Sequence, residues 1–193
     1  MSRCPVRYLY DPLLHQACNA RGDNYWYCYI QDILDQMGLT AAPAASSDLT
    51  ANGLDDVEVL ILPALASGYL SEAHRTALRR WVAEGGMLVG LGTEGLDQLF
   101  GVEQTGSIEQ TGDPWTYTAT LKLTDPELAR PLYCPDVPDA PLLCVSPVRL
   151  VSGGERELAH LHSVEGEDLL APAVTLRQVG RGRACYFAFD LCQ

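Results

Sequence analysis

The sequence predicts an α/β fold of flavodoxin-like, three-layer build, with a mostly parallel sheet and a β-rich insertion near 102–170. Three observations point there. Val57–Leu62 (VEVLIL) is a run apolar but for Glu58 and closed by Pro63, the pattern of a strand buried on both faces. Ala73, Ala77, Leu78, Trp81 and Val82 then recur at helical spacing behind Ser71, a good N-cap, and stop at Gly85-Gly86. Met87–Leu91 starts a second buried strand, so 57–91 reads as a βαβ unit with a helical crossover.

The other elements follow in order. Val6–Tyr10 (VRYLY) is a short apolar strand ending at Asp11. Residues 11–23 read as a loop, with Arg21-Gly22-Asp23-Asn24 as its turn and cap signal. Trp26, Tyr29, Ile30, Ile33, Leu34 and Met37 return at helical spacing, which predicts a helix over 24–37 stopped by Gly38 at C′. In LTAAPAA, Pro43 restricts the segment to an edge strand. Beyond Phe100, residues 101–114 are rich in Gly, Gln, Thr and Asp and read as a turn-rich link. Trp115–Thr124 (WTYTATLKLT) alternates as a half-buried antiparallel strand does. Prolines from Pro126 to Pro147 leave room for short strands at Leu142–Val145 and Val148–Val151. Further strands are expected at Glu157–His162, at Ala173–Gln178 and, after a Gly180-Arg181-Gly182 turn, at Ala184–Phe189 (ACYFAF). The whole reads as one domain, 1–193. The buried strand so close to its end suggests a module of a longer protein.

Composition narrows the function. Hydrophobic residues make up 47% of the 193, enough for a core without disulfide or metal staples at this length. Thirteen basic against 25 acidic residues give a net charge of −12. Nucleic acid and anionic membrane surfaces both require a cationic face, so neither is an expected partner. Neutral ligands such as sugars, and protein partners, remain open. No apolar run reaches the ~18 residues of a membrane span, and the N-terminus carries no apolar signal core, so a cytoplasmic protein is expected. The seven cysteines are odd in number and form no C-x-x-C pair or zinc spacing. They read as reduced thiols.

Gly90-Leu91-Gly92-Thr93-Glu94-Gly95 matches G-x-G-x-x-G after a strand, either a nucleotide-binding turn or a tight strand-to-helix turn packed by glycines. Glu94 follows the strand, at the edge where open α/β sheets gather ligand groups. Asp11, Asn24 and Asp190 are expected on the same edge, as ligand-binding or acid–base carboxylates or as caps and loop anchors. Tyr25, Trp26 and Tyr27 crowd the start of the first predicted helix, where successive rings cannot all face the core. One is expected at an interface or against a ligand. His160-x-His162 puts two imidazoles on one strand face, but no third ligand is evident. No metal and no cofactor is expected.

The strand ending in Leu62-Pro63, the Leu70-Ser71 helix start leading to Leu78-Arg79-Arg80-Trp81-Val82 and Glu84-Gly85-Gly86, and the closing Gly180-Arg181-Gly182-Arg183 before Tyr186-Phe187-Ala188-Phe189-Asp190 together resemble the class I glutamine amidotransferase-like superfamily. They resemble in particular its non-catalytic branch, the β-galactosidase trimerisation domain group. The resemblance is best over 55–100 and 171–190. It implies a module that builds oligomers and borders the active site of a neighbouring carbohydrate-active barrel. Catalytic members carry a Cys nucleophile in a G-x-C-x-G elbow after such a strand. Here the turn reads Gly92-Thr93-Glu94-Gly95, with no cysteine between Cys28 and Cys134. No acyl thioester forms without a thiolate at the elbow. The first reading is therefore a non-catalytic assembly or active-site-shaping module, as a homo-oligomer or as an adjacent domain of a longer protein. Its ligand-binding candidates are Asp11, Asn24, Tyr25, Trp26, Thr93, Glu94 and Asp190, with a neutral carbohydrate as ligand. Two alternatives stay open: a small hydrolase using Glu94 with Asp190 or a His, and a small-molecule binder using the Gly90–Gly95 turn.

Overall fold

The apolar run at 57–62 supplies the central strand of the parallel part of a large sheet in the computed structural model, which describes residues 4–22, 24–50, 52–109, 118–125, 139–142 and 148–192. The strands are β1 (Val6–Leu9), β2 (Ala42–Ala44), β3 (Val59–Leu62), β4 (Met87–Leu91), β5 (Val102–Ile108), β6 (Ala119–Leu123), β7 (Asp139–Leu142), β8 (Val148–Gly153), β9 (Arg156–His162), β10 (Asp168–Val179) and β11 (Gly182–Phe187). Among the described residues nine of them form one sheet in the order β2-β1-β3-β4-β11-β10-β9-β6-β7, and β5 pairs with β8 apart from it. The sheet is parallel from β2 to β11 and antiparallel from β11 to β7.

Helix α3 (Glu72–Ala83) makes the crossover from β3 to β4, as the stripe and its N-cap predict. Ser71 Oγ accepts from the His74 N–H (3.2 Å). Ala77, Leu78, Trp81 and Val82 are buried, and Trp81 Nε1 donates to Val57 O (3.0 Å). Leu78, Trp81 and Val82 pack with Leu60, Leu62, Leu88 and Tyr186; each such large side chain contributes roughly 1.5–3 kcal/mol on burial. On the other face Tyr27, Ile30 and Leu34 cover Tyr8, Ile61 and Leu91. The alternation Leu60, Ile61, Leu62 thus divides between two helical layers, which is why this strand is apolar at every position.

Several expectations are corrected. Residues 11–23 were expected as a loop, but Pro12–Arg21 is a helix, α1. It has no buried residue and so no apolar stripe to read. It forms because Asp11 caps it, with Oδ1 accepting from the Leu13 N–H (2.8 Å), Pro12 preorganises its first turn, and Gly22 closes it at φ 79°. The helix expected over 24–37 divides into a 3₁₀ turn, Trp26–Tyr29, and a shorter α2, Ile30–Gln36; β-branched and aromatic residues at its start weaken the helical preference. The 101–114 link contains strand β5, whose polar residues pair with β8. One-turn helix α4 (Asp97–Phe100) follows β4. Parts of the strands expected at Trp115–Thr124 and Leu142–Val145 lie outside the described residues, as do Cys134 and Cys144. Among the described residues Cys4, Cys18, Cys28, Cys185 and Cys192 are free thiols. No helix among them is long and apolar enough to cross a membrane.

Candidate functional site

Four segments meet beyond the C-terminal ends of the parallel strands. Ala64–Ser67 leaves β3, Gly92–Gly95 leaves β4, Asp190 follows β11, and the β5–β8 pair closes over them. They enclose a cleft of about 380 Å³ lined by Glu94, Asp190, Gln104, Ser107, Glu109 and Arg149, among others. A neighbouring lobe of about 630 Å³ shares Glu94, Gln104 and Arg149.

The β4 turn is built by packing. A Cβ on Gly90 would stand 2.5 Å from the Phe100 ring, and one on Gly95, at φ +80°, would stand 2.9 Å from Ser67 O. The glycines therefore bring the Phe100 ring and the Ser67 backbone against the turn. Thr93 is fully buried, and its Oγ1 donates to Pro63 O (2.7 Å). Glu94 is half-buried; its Oε2 accepts from the Ser67 N–H (3.1 Å), so one carboxylate oxygen anchors a loop. Asp190 Oδ1 accepts from the Cys192 N–H (2.9 Å).

Arg149, on β8, is 6% exposed. Its Nη1 donates to Thr93 O (3.3 Å) and to the Tyr186 hydroxyl, Nη2 to Asp97 Oδ1 (2.8 Å) and Gln104 Oε1 (2.9 Å), and Nε to Gln104 Oε1 (3.3 Å). Burial works against its charge, but Tyr186 and Asp97 outweigh it and hold the guanidinium above its ordinary value. Burial pushes the Tyr186 hydroxyl up to about 12 despite Arg149, so it stays neutral and accepts. This network ties the β5–β8 pair to the ends of β4 and β11, and the Arg149 N–H donates to Ala188 O (2.8 Å).

The remaining candidates form a second group at the end of β1. Asp11 caps α1 and accepts from the Tyr69 hydroxyl at Oδ2 (2.6 Å); burial and that carboxylate raise Tyr69 to about 12. The Tyr25 ring stacks on His15 (5.2 Å between centroids), whose Nδ1 meets the Tyr10 hydroxyl (2.9 Å). The Tyr25 hydroxyl and Trp26 Nε1 are buried without a hydrogen-bond partner among the described residues. Trp26 lies against Tyr29, which is half exposed, and Asn24 is exposed. Glu94 and Asp190 thus share one cleft, while Asp11 and Tyr25 belong to the group over β1.

No family model and no curated protein matches the sequence. Solved structures do resemble the fold. A β-galactosidase from Bacillus circulans sp. alkalophilus superposes with a TM-score of 0.74 at 15% identity, over 98% of this chain and 29% of that one. A catalytic mutant of a GH42 β-galactosidase from G. stearothermophilus gives 0.70 at 18%, over 96% and 27%. This chain has the fold of a β-galactosidase segment. It spans less than a third of those two enzymes' length. A cytoplasmic protein from Salmonella typhimurium LT2 also matches, with a TM-score of 0.57 at 15% identity, over 84% of this chain and 75% of that one.

Away from the cleft, His160 and His162 each have polar partners of their own. His160 Nε2 meets Glu157 and its Nδ1 lies 3.5 Å from Asp168, while His162 Nδ1 is 3.2 Å from Gly166 O. No group of three or more potential metal ligands occurs among the described residues. Burial pushes the Cys185 thiol up to about 11 and the Cys192 thiol to about 12, so neither supplies a thiolate. Sequence reasoning missed Arg149, Gln104, Ser107 and Glu109. The one available signal was the lone arginine in the apolar run Val148–Val151.

Proposed function

We propose that the chain is one α/β unit over 1–193, a non-catalytic, flavodoxin-like member of the amidotransferase-like group that assembles an oligomer or shapes the active site of a carbohydrate-active partner. The observation that carries this reading is the turn after β4. Where an amidotransferase elbow presents a thiolate, Thr93 has its hydroxyl committed to Pro63 O and Glu94 has an oxygen committed to Ser67. A buried, unassisted Thr hydroxyl is a poor nucleophile, and a carboxylate attacking an amide would form a reactive anhydride. The parallel strand order β2-β1-β3-β4-β11 matches the 2-1-3-4-5 order of flavodoxin-like sheets. Likeness to a segment of β-galactosidases supports a setting beside carbohydrate chemistry. In this reading Asp11, Asn24, Tyr25, Trp26, Glu94 and Asp190 border the partner's site or a neutral carbohydrate, Thr93 is buried beneath them, and none is catalytic.

A second reading, a small hydrolase, draws on one observation: Glu94 and Asp190 line the same cleft. The two separate in one experiment. Ammonia release from glutamine and hydrolysis of an aryl β-galactoside are measured for the purified chain, for Glu94→Gln and for alkylated protein. We expect no turnover of either substrate. Turnover abolished by alkylation would overturn the non-catalytic reading, and turnover abolished by Glu94→Gln would replace it with the hydrolase.

A further inference from the structure

We infer that the cleft between the β4 turn and the β5–β8 pair binds a neutral vicinal diol of monosaccharide size, with Glu94 as acceptor and the Gln104 amide as donor. The inference deepens the reading of the chain as an inert module beside carbohydrate chemistry and rests on it for the choice of sugar.

The two lobes, about 380 and 630 Å³, are of the size that takes small ligands. Charge around the two lobes selects against an anion. Arg149 has every N–H direction committed, to Thr93 O, the Tyr186 hydroxyl, Asp97 and Gln104. It has no donor left to bridge an anion, and Glu94, Glu109 and Asp190 in the same cleft repel one. A neutral polar molecule escapes that penalty.

The hydrogen-bonding groups are fixed before any ligand arrives. Gln104 Oε1 accepts from Arg149 at 2.9 and 3.3 Å, which settles the orientation of its amide. Its Nε2 gives one bond to Gly106 O (3.3 Å) and has a second N–H to give. Glu94 is held through Oε2 by Ser67 (3.1 Å), leaving Oε1 as an acceptor. An oriented acceptor and an oriented donor on one wall suit two adjacent hydroxyls, one donating to Glu94 and its neighbour accepting from Gln104. Preorganisation of this kind lowers the ordering cost of binding. No aromatic ring lines either lobe among the described residues, so stacking adds nothing, and affinity is expected near ~1 mM.

The test is a titration of the intact isotope-labelled chain with methyl β-galactopyranoside and methyl β-mannopyranoside, followed by the amide resonances of Gly92, Gly95 and the Gln104 side chain. Spermidine and inorganic sulfate serve as charged probes. We expect saturable shifts with at least one glycoside, a weakening of about tenfold in Glu94→Gln, where a charge-assisted bond becomes a neutral one, and a similar loss in Gln104→Ala. Each variant's spectrum reports its own folding, so a variant that fails to fold is replaced by the other. No saturable glycoside shift, shifts confined to other residues, binding indifferent to both substitutions, or binding only of spermidine or sulfate would each overturn the inference. An inert chain that binds no glycoside overturns this inference alone. Glutamine turnover overturns the underlying reading whatever the cleft binds.

Discussion

At the scale of residues, Arg149 decides how the cleft is held. Its partners come from positions 93, 97, 104 and 186, so no local window of sequence contains the reason for it. Removing one member of a buried charged network leaves the others desolvated and unpaired, which costs about 3–5 kcal/mol. Arg149→Met is therefore expected to lose about that much in urea unfolding. Adding Asp97→Leu is expected to restore part of the loss, because the uncompensated carboxylate goes with it. A loss under about 1 kcal/mol, the scale of an exposed pair, would show that water already satisfies the network. The positions of Glu94 and Asp190 were legible because chain polarity alone carries the ends of parallel strands to one edge. Their partners were not legible, since a loop backbone N–H leaves no mark in composition. His160 carries a pH signature of its own. Its hydrogen bond to the Glu157 carboxylate raises it above the ordinary 6.5 against the opposing effect of burial, with Asp168 adding to the rise. A folded value above the unfolded one stabilises fully below about pH 6.5, and that contribution fades as pH rises through the folded value. Asp168 works in the opposite sense: the Leu170 N–H lowers it from 3.8, so its contribution is lost as pH falls through the folded value. Chemical denaturation of wild type and His160→Gln from pH 5 to 9 should converge at the alkaline end. A constant difference across that range would remove the histidine from the account.

At the scale of elements, burial on both faces is what made β3 and β4 readable, and an apolar stripe did the same for α3. Where an element owes its existence to something else, sequence pattern was silent. α1 stands on its caps, Asp11 and Gly22, with no buried side chain. β5 is mostly polar along its length and exists because β8 lies beside it. The G-x-G-x-x-G turn illustrates the difference between a pattern and its cause. Gly90 lies under the Phe100 ring, and Phe100 in turn packs on Tyr186 (4.9 Å between centroids). A methyl group there overpacks the joint between β4 and α4, so Gly90→Ala is expected to cost about 1–3 kcal/mol. Phe100→Leu in the same chain should recover part of it. Thermal unfolding of the single and double variants measures this; a Gly90→Ala protein as stable as wild type would mean that the ring has room to move.

At the scale of the molecule, the parallel half of the sheet was legible because each of its strands announces itself as a short apolar run. In the antiparallel wing the strands at Glu157–His162 and Ala173–Gln178 were legible, but the order β11-β10-β9-β6-β7 was not, since it depends on pairings between distant segments. That order has a consequence for how the chain is made. β11 follows the other described strands in sequence, yet it lies between β4 and β10, joining the parallel half to the wing. During synthesis on the ribosome, everything up to Val179 is available while the seam is still open, with β4 lacking a neighbour on one side and β10 on another. Open strand edges invite pairing with the wrong chain. Nascent chains therefore carry two such edges until β11 emerges. A message broken shortly before the codon for Gly182 yields a product with both edges bare, a natural client for chaperones and proteases.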